Sequence, residues 1–296
     1  MDMFSDTTGE KYLYRYRPDT VYAIDELLNQ YMRFSTKESL NDVFEFTVGM
    51  EESFEGLSIQ DQNKYVYDFL EANKQLHVID KNAGAGTAEK LKKDPASDHL
   101  EGRAPEILNA IEGILKDVVA EIEKKFQDMA VACFCKKPLN ATMMGHYCNN
   151  SRGLIISYKR DVLESMFGTK DVLFDVVYAD SPYKITPNNF IDLINRKYDQ
   201  QYRNQFLGRK HSDWIYEDEV RAVQDDNDTL NNILKISSEC VAGVCLGSNA
   251  PDAFKRVVAN TCNLHKIPIF ESTKKDMSYD FVVAPLDERK FLDTHS

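Results

Sequence analysis

The patterning of the chain changes near residue 130, and that change constrains the fold more than any single motif. Before it, apolar residues recur at helical spacing in long runs. PEILNAIEGILKDVVAEIEKKFQDM opens on Pro105 and places Ile107, Ile111, Ile114, Leu115, Val118, Ile122 and Phe126 on one stripe. After it come the short β-rich runs AVACFC, GLIISY, VLFDVVY, WIYEDEVRAV and ECVAGVCLG, closed by IPIF and YDFVVAP. Helical patterns interleave with them at NNFIDLINRKYDQQYRNQF and PDAFKRVVANTCNL. This irregular alternation predicts an α+β fold over residues 1–296, one domain with a central mixed β-sheet flanked by helices.

The first half predicts how that domain is filled out. LYRYR reads as a strand, VYAIDELLNQ as a helix with Ile24, Leu27, Leu28 and Tyr31 at helical spacing, and MRFS as a second strand. Asn41 and Asp42 suit a tight turn, because their side chains bond the backbone ahead of them. QDQNKYVYDFLEANKQLHVI and the long helix after Pro105 form a helical insertion at about 58–128. Between them, KNAGAGTAEKLKKDPASDH offers few apolar anchors, so residues 80–104 are expected to be a flexible loop and the first internal site of proteolysis.

Composition narrows the setting. A 43% hydrophobic content supports a sizeable core, and no stretch reaches the ~18 unbroken apolar residues of a membrane span. The opening MDMFSDTTGEK is unlike a signal peptide, so a cytoplasmic location with no membrane partner is expected. Cys133, Cys135, Cys148, Cys240, Cys245 and Cys262 sit in apolar runs and read as reduced core thiols. With 48 acidic against 36 basic residues, the net charge of −12 argues against an extended nucleic-acid surface. A local basic patch remains compatible with a small-molecule or nucleotide ligand.

Four constellations carry candidate chemistry. In KHSDWIYEDEVRAV, strand alternation would put Ile215, Glu217, Glu219 and Arg221 on one face and Trp214, Tyr216, Asp218 and Val220 on the other. That arrangement is either a catalytic carboxylate held by a cation or a solvated ion pair. MMGHYCNNSRG joins two apolar runs as a loop and offers His146 and Tyr147, with Arg152 beside Gly153, where backbone can approach a ligand. Arg15 and Arg17 on the first strand suit a phosphate clamp, Ser35 a sugar hydroxyl, and Asn41, Asp42 and Glu45 follow. Cys133, Cys135, His146 and Cys148 have zinc-ligand chemistry without zinc-ligand spacing, so no metal site is predicted from them. The sequence contains no P-loop, Gly-rich dinucleotide fingerprint or nucleophile elbow.

In order along the chain, these motifs resemble the bacterial family named domain of unknown function 2971. Its members run LYKYR, FS, FNDPFE, CFS, MWxHYxxxxxG, VxY, KxxxWxYExEWR and YLG. Here the matching segments are LYRYR, FS, LNDVFE, CFC, MMGHYCNNSRG, VVY, KHSDWIYEDEVR and CLG. Met144, Val43 and Val220 stand where the family has tryptophan, proline and tryptophan, while Asn41, Asp42, Glu45, His146, Tyr147, Gly153, Trp214, Glu217, Glu219 and Arg221 match.

The layout also looks like an ADP-ribosyltransferase core, with a cation on the first strand, serine ending the second and Glu-x-Glu on a late strand. That resemblance implies NAD as substrate, Glu219 as catalytic carboxylate with Glu217 and His146 beside it, Arg15 as phosphate clamp, Ser35 on ribose, and Tyr147 or His146 against the leaving ring. Two other readings stand beside it. One is a non-enzymatic ligand-sensing or interaction module, with bacterial defence as a setting; the other is a metal-assisted hydrolase or nuclease using Asp42, Glu45 and Glu219.

Overall fold

A computed structural model describes residues 3–50, 57–127, 129–167, 173–185, 200–224, 232–287 and 289. The fold is α+β, with a mixed nine-stranded sheet. Contacts gather the chain into two compact units, Met1–Val43 with Asp128–Asp180 and Lys210–Ser296, and Phe44–Gln127 with Ser181–Arg209. The second unit thus takes in the expected helical insertion together with a later segment.

The sheet belongs to the first unit. Its strands are β1 (Tyr12–Arg17), β2 (Ser35–Thr36), β3 (Ala130–Cys135), β4 (Leu154–Lys159), β5 (Leu173–Asp175), β6 (Glu219–Gln224), β7 (Val241–Leu246), β8 (Ile269–Lys274) and β9 (Phe281–Pro285). They lie in the order β9-β8-β7-β4-β1-β3-β6-β5, with β2 paired to β3. Only β7 and β8 run parallel among the paired strands of the sheet, and helix Asp252–Leu264 crosses between them, as a parallel connection requires. The central strands are built from runs that are apolar on both faces, such as LIISY and VAGVCL, and both faces are covered: Leu13, Ile156, Ala132, Ala222 and Val244 pack in one cluster, Tyr14, Tyr16, Cys135, Ile155 and Cys245 in another.

Register assigns the polar side chains to faces. Tyr14 opposes Cys135, Cys135 opposes Glu219, and Cys133 opposes Arg221. Opposed residues share a face, so Glu219 and Arg221 project on one side of the sheet and Arg15 and Arg17 on the other. β1 and β3 are bridged at Tyr14 and Cys135 and then part, β1 continuing along β4 while β3 takes up β2 at Val131. The sheet is therefore forked between Tyr16 and Cys133.

Three sequence expectations need correction. KHSDWIYEDEVRAV is not one strand: Ser212–Glu217 forms a 3-10 turn, Asp218 adopts a left-handed conformation (φ 45°), and β6 starts at Glu219. Aspartate tolerates that conformation because its short polar side chain supports it locally. MMGHYCNNSRG opens as helix Ala141–His146, because Asn140 caps it by accepting from the amides of Thr142 and Met143. Residues 80–104 are not a bare loop. They include the end of helix Leu76–Ala83 and all of helix Thr87–Lys93, where Leu91 is buried, as is Leu100 beyond it. The fully buried Asn63 donates to the carbonyls of Pro95 (3.0 Å) and Ser97 (2.9 Å), fastening that stretch to helix Ile59–Ala72. Of the helix expected in NNFIDLINRKYDQQYRNQF, Gln200–Leu207 is present and residues 188–199 lie outside the described residues.

Candidate functional site

A cavity of about 220 Å³ opens at the fork. Arg15, Arg17, Ser35, Asn41, Tyr147, Glu217 and Glu219 line it, with Tyr16 and Cys133 from the fork edges and Lys210. Segments some two hundred residues apart reach it because β1, β3 and β6 are neighbours.

One wall is cationic. Arg15 is 5% exposed, stacks over Phe134 (5.8 Å) and donates to the carbonyl of Arg33 (2.9 Å). Arg15 (3.4 Å) and Arg17 both engage Glu26 Oε1, which projects from helix Val21–Leu28. Burial works to raise the Glu26 carboxyl, but Arg15 and Arg17 outweigh it and hold it below its usual value. Two guanidiniums thus share one carboxylate, an excess of one positive charge in this triad.

The other wall is a network of alternating charge. Arg221, 0% exposed, grips Glu219 with two bonds, Nε to Oε1 (2.8 Å) and Nη2 to Oε2 (3.1 Å). Lys210 Nζ lies over the Trp214 ring (5.0 Å) and bridges Glu217 Oε2 (2.5 Å) and Glu219 Oε2 (3.2 Å). The two carboxyls respond differently. For Glu219 burial favours the neutral acid, yet Arg221 and Lys210 prevail and hold it well below the usual carboxylate range. Glu217 has only a share of Lys210, so burial and then the charge of Glu219 push it up to about 7. It accepts from Tyr147 Oη, which receives Asn41 Nδ2 (2.5 Å) at the mouth. The phenol of Tyr147 is raised by burial and by Glu217.

Several candidates stand elsewhere. His146 is exposed and its Nδ1 meets Tyr216 Oη (3.0 Å), outside the lining. Arg152 pairs with Asp19 (3.0 Å). Trp214 supports Lys210 from outside the lining, and Arg221 lies behind Glu219. Asp42 is buried off the lining, and the buried Glu45 belongs to the second unit. Among the described residues no three His, Cys, Asp or Glu side chains are grouped to hold a metal ion, so the metal-assisted reading has no ligand set there. Lys210 and Glu26 were missed by sequence reasoning. Lys210 occupies the first position of KxxxWxYExEWR and was legible there; Glu26 looks like any surface residue of an amphipathic helix.

Gly153 explains one family position physically. A Cβ built on it would stand 1.9 Å from the carbonyl oxygen of Arg17. Gly153→Ala is therefore expected to displace the Arg17 end of β1 and to cost about 1–3 kcal/mol, read as a lower denaturation midpoint at unchanged slope. A wild-type midpoint would show that β1 is not held there.

A family model described as "Protein of unknown function (DUF2971)" matches residues 143–222, from within helix Ala141–His146 into β6. Over those residues the chain resembles that family. Neither the curated proteins nor the solved structures contain a match.

Proposed function

We propose that the forked cleft binds a phosphate-bearing nucleotide and that the protein is an ADP-ribosyltransferase-like enzyme acting on NAD. The observation that carries this reading is the sharing of Glu26 by Arg15 and Arg17, which leaves net positive charge beside a cavity in a chain of net charge −12. A pyrophosphate would supply the missing anion, and Ser35, on the same lining, would meet a ribose hydroxyl. On the far wall, loss of nicotinamide from ribose would develop positive charge that the ionised Glu219 would stabilise. Of the two, Glu217 is the acid–base group, since its carboxyl titrates near neutrality and Glu219 is committed to Arg221.

ADP-ribose and NAD should each raise the melting temperature, because a ligand that binds only the folded state stabilises it by mass action. Arg17→Gln, at a side chain 24% exposed, should keep the fold and weaken ADP-ribose binding about 10- to 100-fold, the worth of one or two charged hydrogen bonds. No shift with either compound at millimolar concentration would overturn the nucleotide reading. A ligand-sensing module without catalysis is the second reading, favoured by the double grip of Arg221 on Glu219; binding of NAD without its turnover would decide for it.

A further inference from the structure

The second unit carries a cavity of its own, about 290 Å³ in volume. Its deepest lining is apolar and buried: Leu70 of helix Ile59–Ala72, Ile79 of helix Leu76–Ala83, and Leu100. Val78, Ala83 and Ile107, each half-buried, form the walls, the last of them from helix Ala104–Gln127. An apolar cavity of about 150 Å³ already takes up benzene, so this one has room for a larger hydrocarbon body. Lining atoms that face a void forfeit dispersion contacts, which an occupant of matching shape restores. At the mouth stand Arg103 and Glu106, both exposed. Arg103 Nη1 donates to the main-chain carbonyl of Asn82 (2.8 Å), which ties the guanidinium to the end of helix Leu76–Ala83. Asn82 turns its own side-chain amide back to the carbonyl of Val78 (2.9 Å). Among the described residues, neither Arg103 nor Glu106 has an ion-pair partner.

We infer that this cavity binds a free α-amino acid with a large apolar side chain, its carboxylate at Arg103, its ammonium at Glu106 and its side chain among Leu70, Ile79 and Leu100. Ile107 donates its N–H to the carbonyl of Arg103 (3.2 Å), so Arg103 and Glu106 share the first turn of helix Ala104–Gln127. Side chains three positions apart on a turn are neighbours, and the mouth therefore presents one charge of each sign side by side. A head that also carries both signs is complementary to it, and a guanidinium meets a carboxylate with paired bonds. An acid alone would bring its anion beside Glu106, and an amine alone its cation beside Arg103. Only the zwitterion meets both charges with their opposites. All of the lining lies in the second unit, so the inference does not rest on the nucleotide reading.

Calorimetric titration of the whole protein with phenylalanine, leucine, alanine, 3-phenylpropionate and 2-phenylethylamine tests it. Phenylalanine or leucine should bind about tenfold tighter than alanine or more, the worth of burying the larger side chain. The two analogues keep the ring and one charge each, and each should bind about threefold more weakly than phenylalanine or worse. Glu106→Gln, at an exposed side chain, should leave the melting temperature unchanged and bring phenylalanine level with 3-phenylpropionate. Arg103→Gln should bring it level with 2-phenylethylamine. No saturable binding of phenylalanine or leucine at millimolar concentration would overturn the inference. So would equal affinity for alanine and the larger amino acids, equal affinity for phenylalanine and either analogue, or a folded Glu106→Gln variant that discriminates as the wild type does.

Discussion

Glu219→Gln is expected to lower the stability of the protein by about 3–5 kcal/mol, because it takes the charge from a carboxylate that two buried cations share. Arg221 is fully buried and Lys210 nearly so, and neither can recover the lost interaction from water. At this chain length the melting temperature should fall by about 10 °C. This departs from the reading in sequence, in which Glu219 is a catalytic carboxylate or half of a solvated ion pair. Its depressed carboxyl gives stability that is present above the unfolded value near 4.5 and is lost as pH falls well below it, so the titration of Glu219 itself adds no slope from pH 5 to 8 and any change of the wild-type difference in that window belongs to Glu217. Glu217 should respond as well. With Glu219 neutralised, its negative charge no longer raises Glu217, whose titration should move to lower pH. A variant that melts like the wild type would show that the Glu219–Arg221 pair contributes nothing to the fold.

The second large effect belongs to Glu217. Its folded value of about 7 exceeds the ordinary 4.5, so between those pH values the folded state holds more protons than the unfolded one, and stability falls as pH rises through that window. Glu217→Gln should abolish that slope. If Glu217 is the acid–base group, the same change should reduce NAD turnover by about 10²–10⁴-fold, and the wild-type rate should change through an apparent pKa near 7 that the variant lacks. Loss of the stability slope with full turnover would leave Glu217 as a positioning group for Lys210. Retention of the slope in the variant would assign the titration to another residue.

Much of the fold was legible because its signals are local. The apolar runs AVACFC, LIISY and VAGVCL could be strands without knowledge of their partners, and the stripe after Pro105 could be a helix without knowledge of what covers it. The turn inside KHSDWIYEDEVRAV was not, because carboxylates two apart suit a strand until a left-handed residue intervenes at Asp218. The helix within 80–104 was hidden for a different reason: Leu91 and Leu100 are sparse anchors whose weight depends on what buries them, and on Asn63.

The candidate site divides along the same line. Residue types were a property of the sequence, and Arg15, Arg17, Ser35, Asn41, Tyr147, Glu217 and Glu219 were nameable from their motifs. Strand order, the fork and the pairing of charges were not, since each depends on contacts between residues far apart in the chain. Only tertiary structure sets Glu26 between two arginines, gives Arg221 to Glu219 and has Lys210 bridge Glu219 and Glu217. Two glutamates two positions apart are chemically identical in the sequence; burial and the unequal division of nearby cations make one a fixed anion and the other a group that titrates near neutrality.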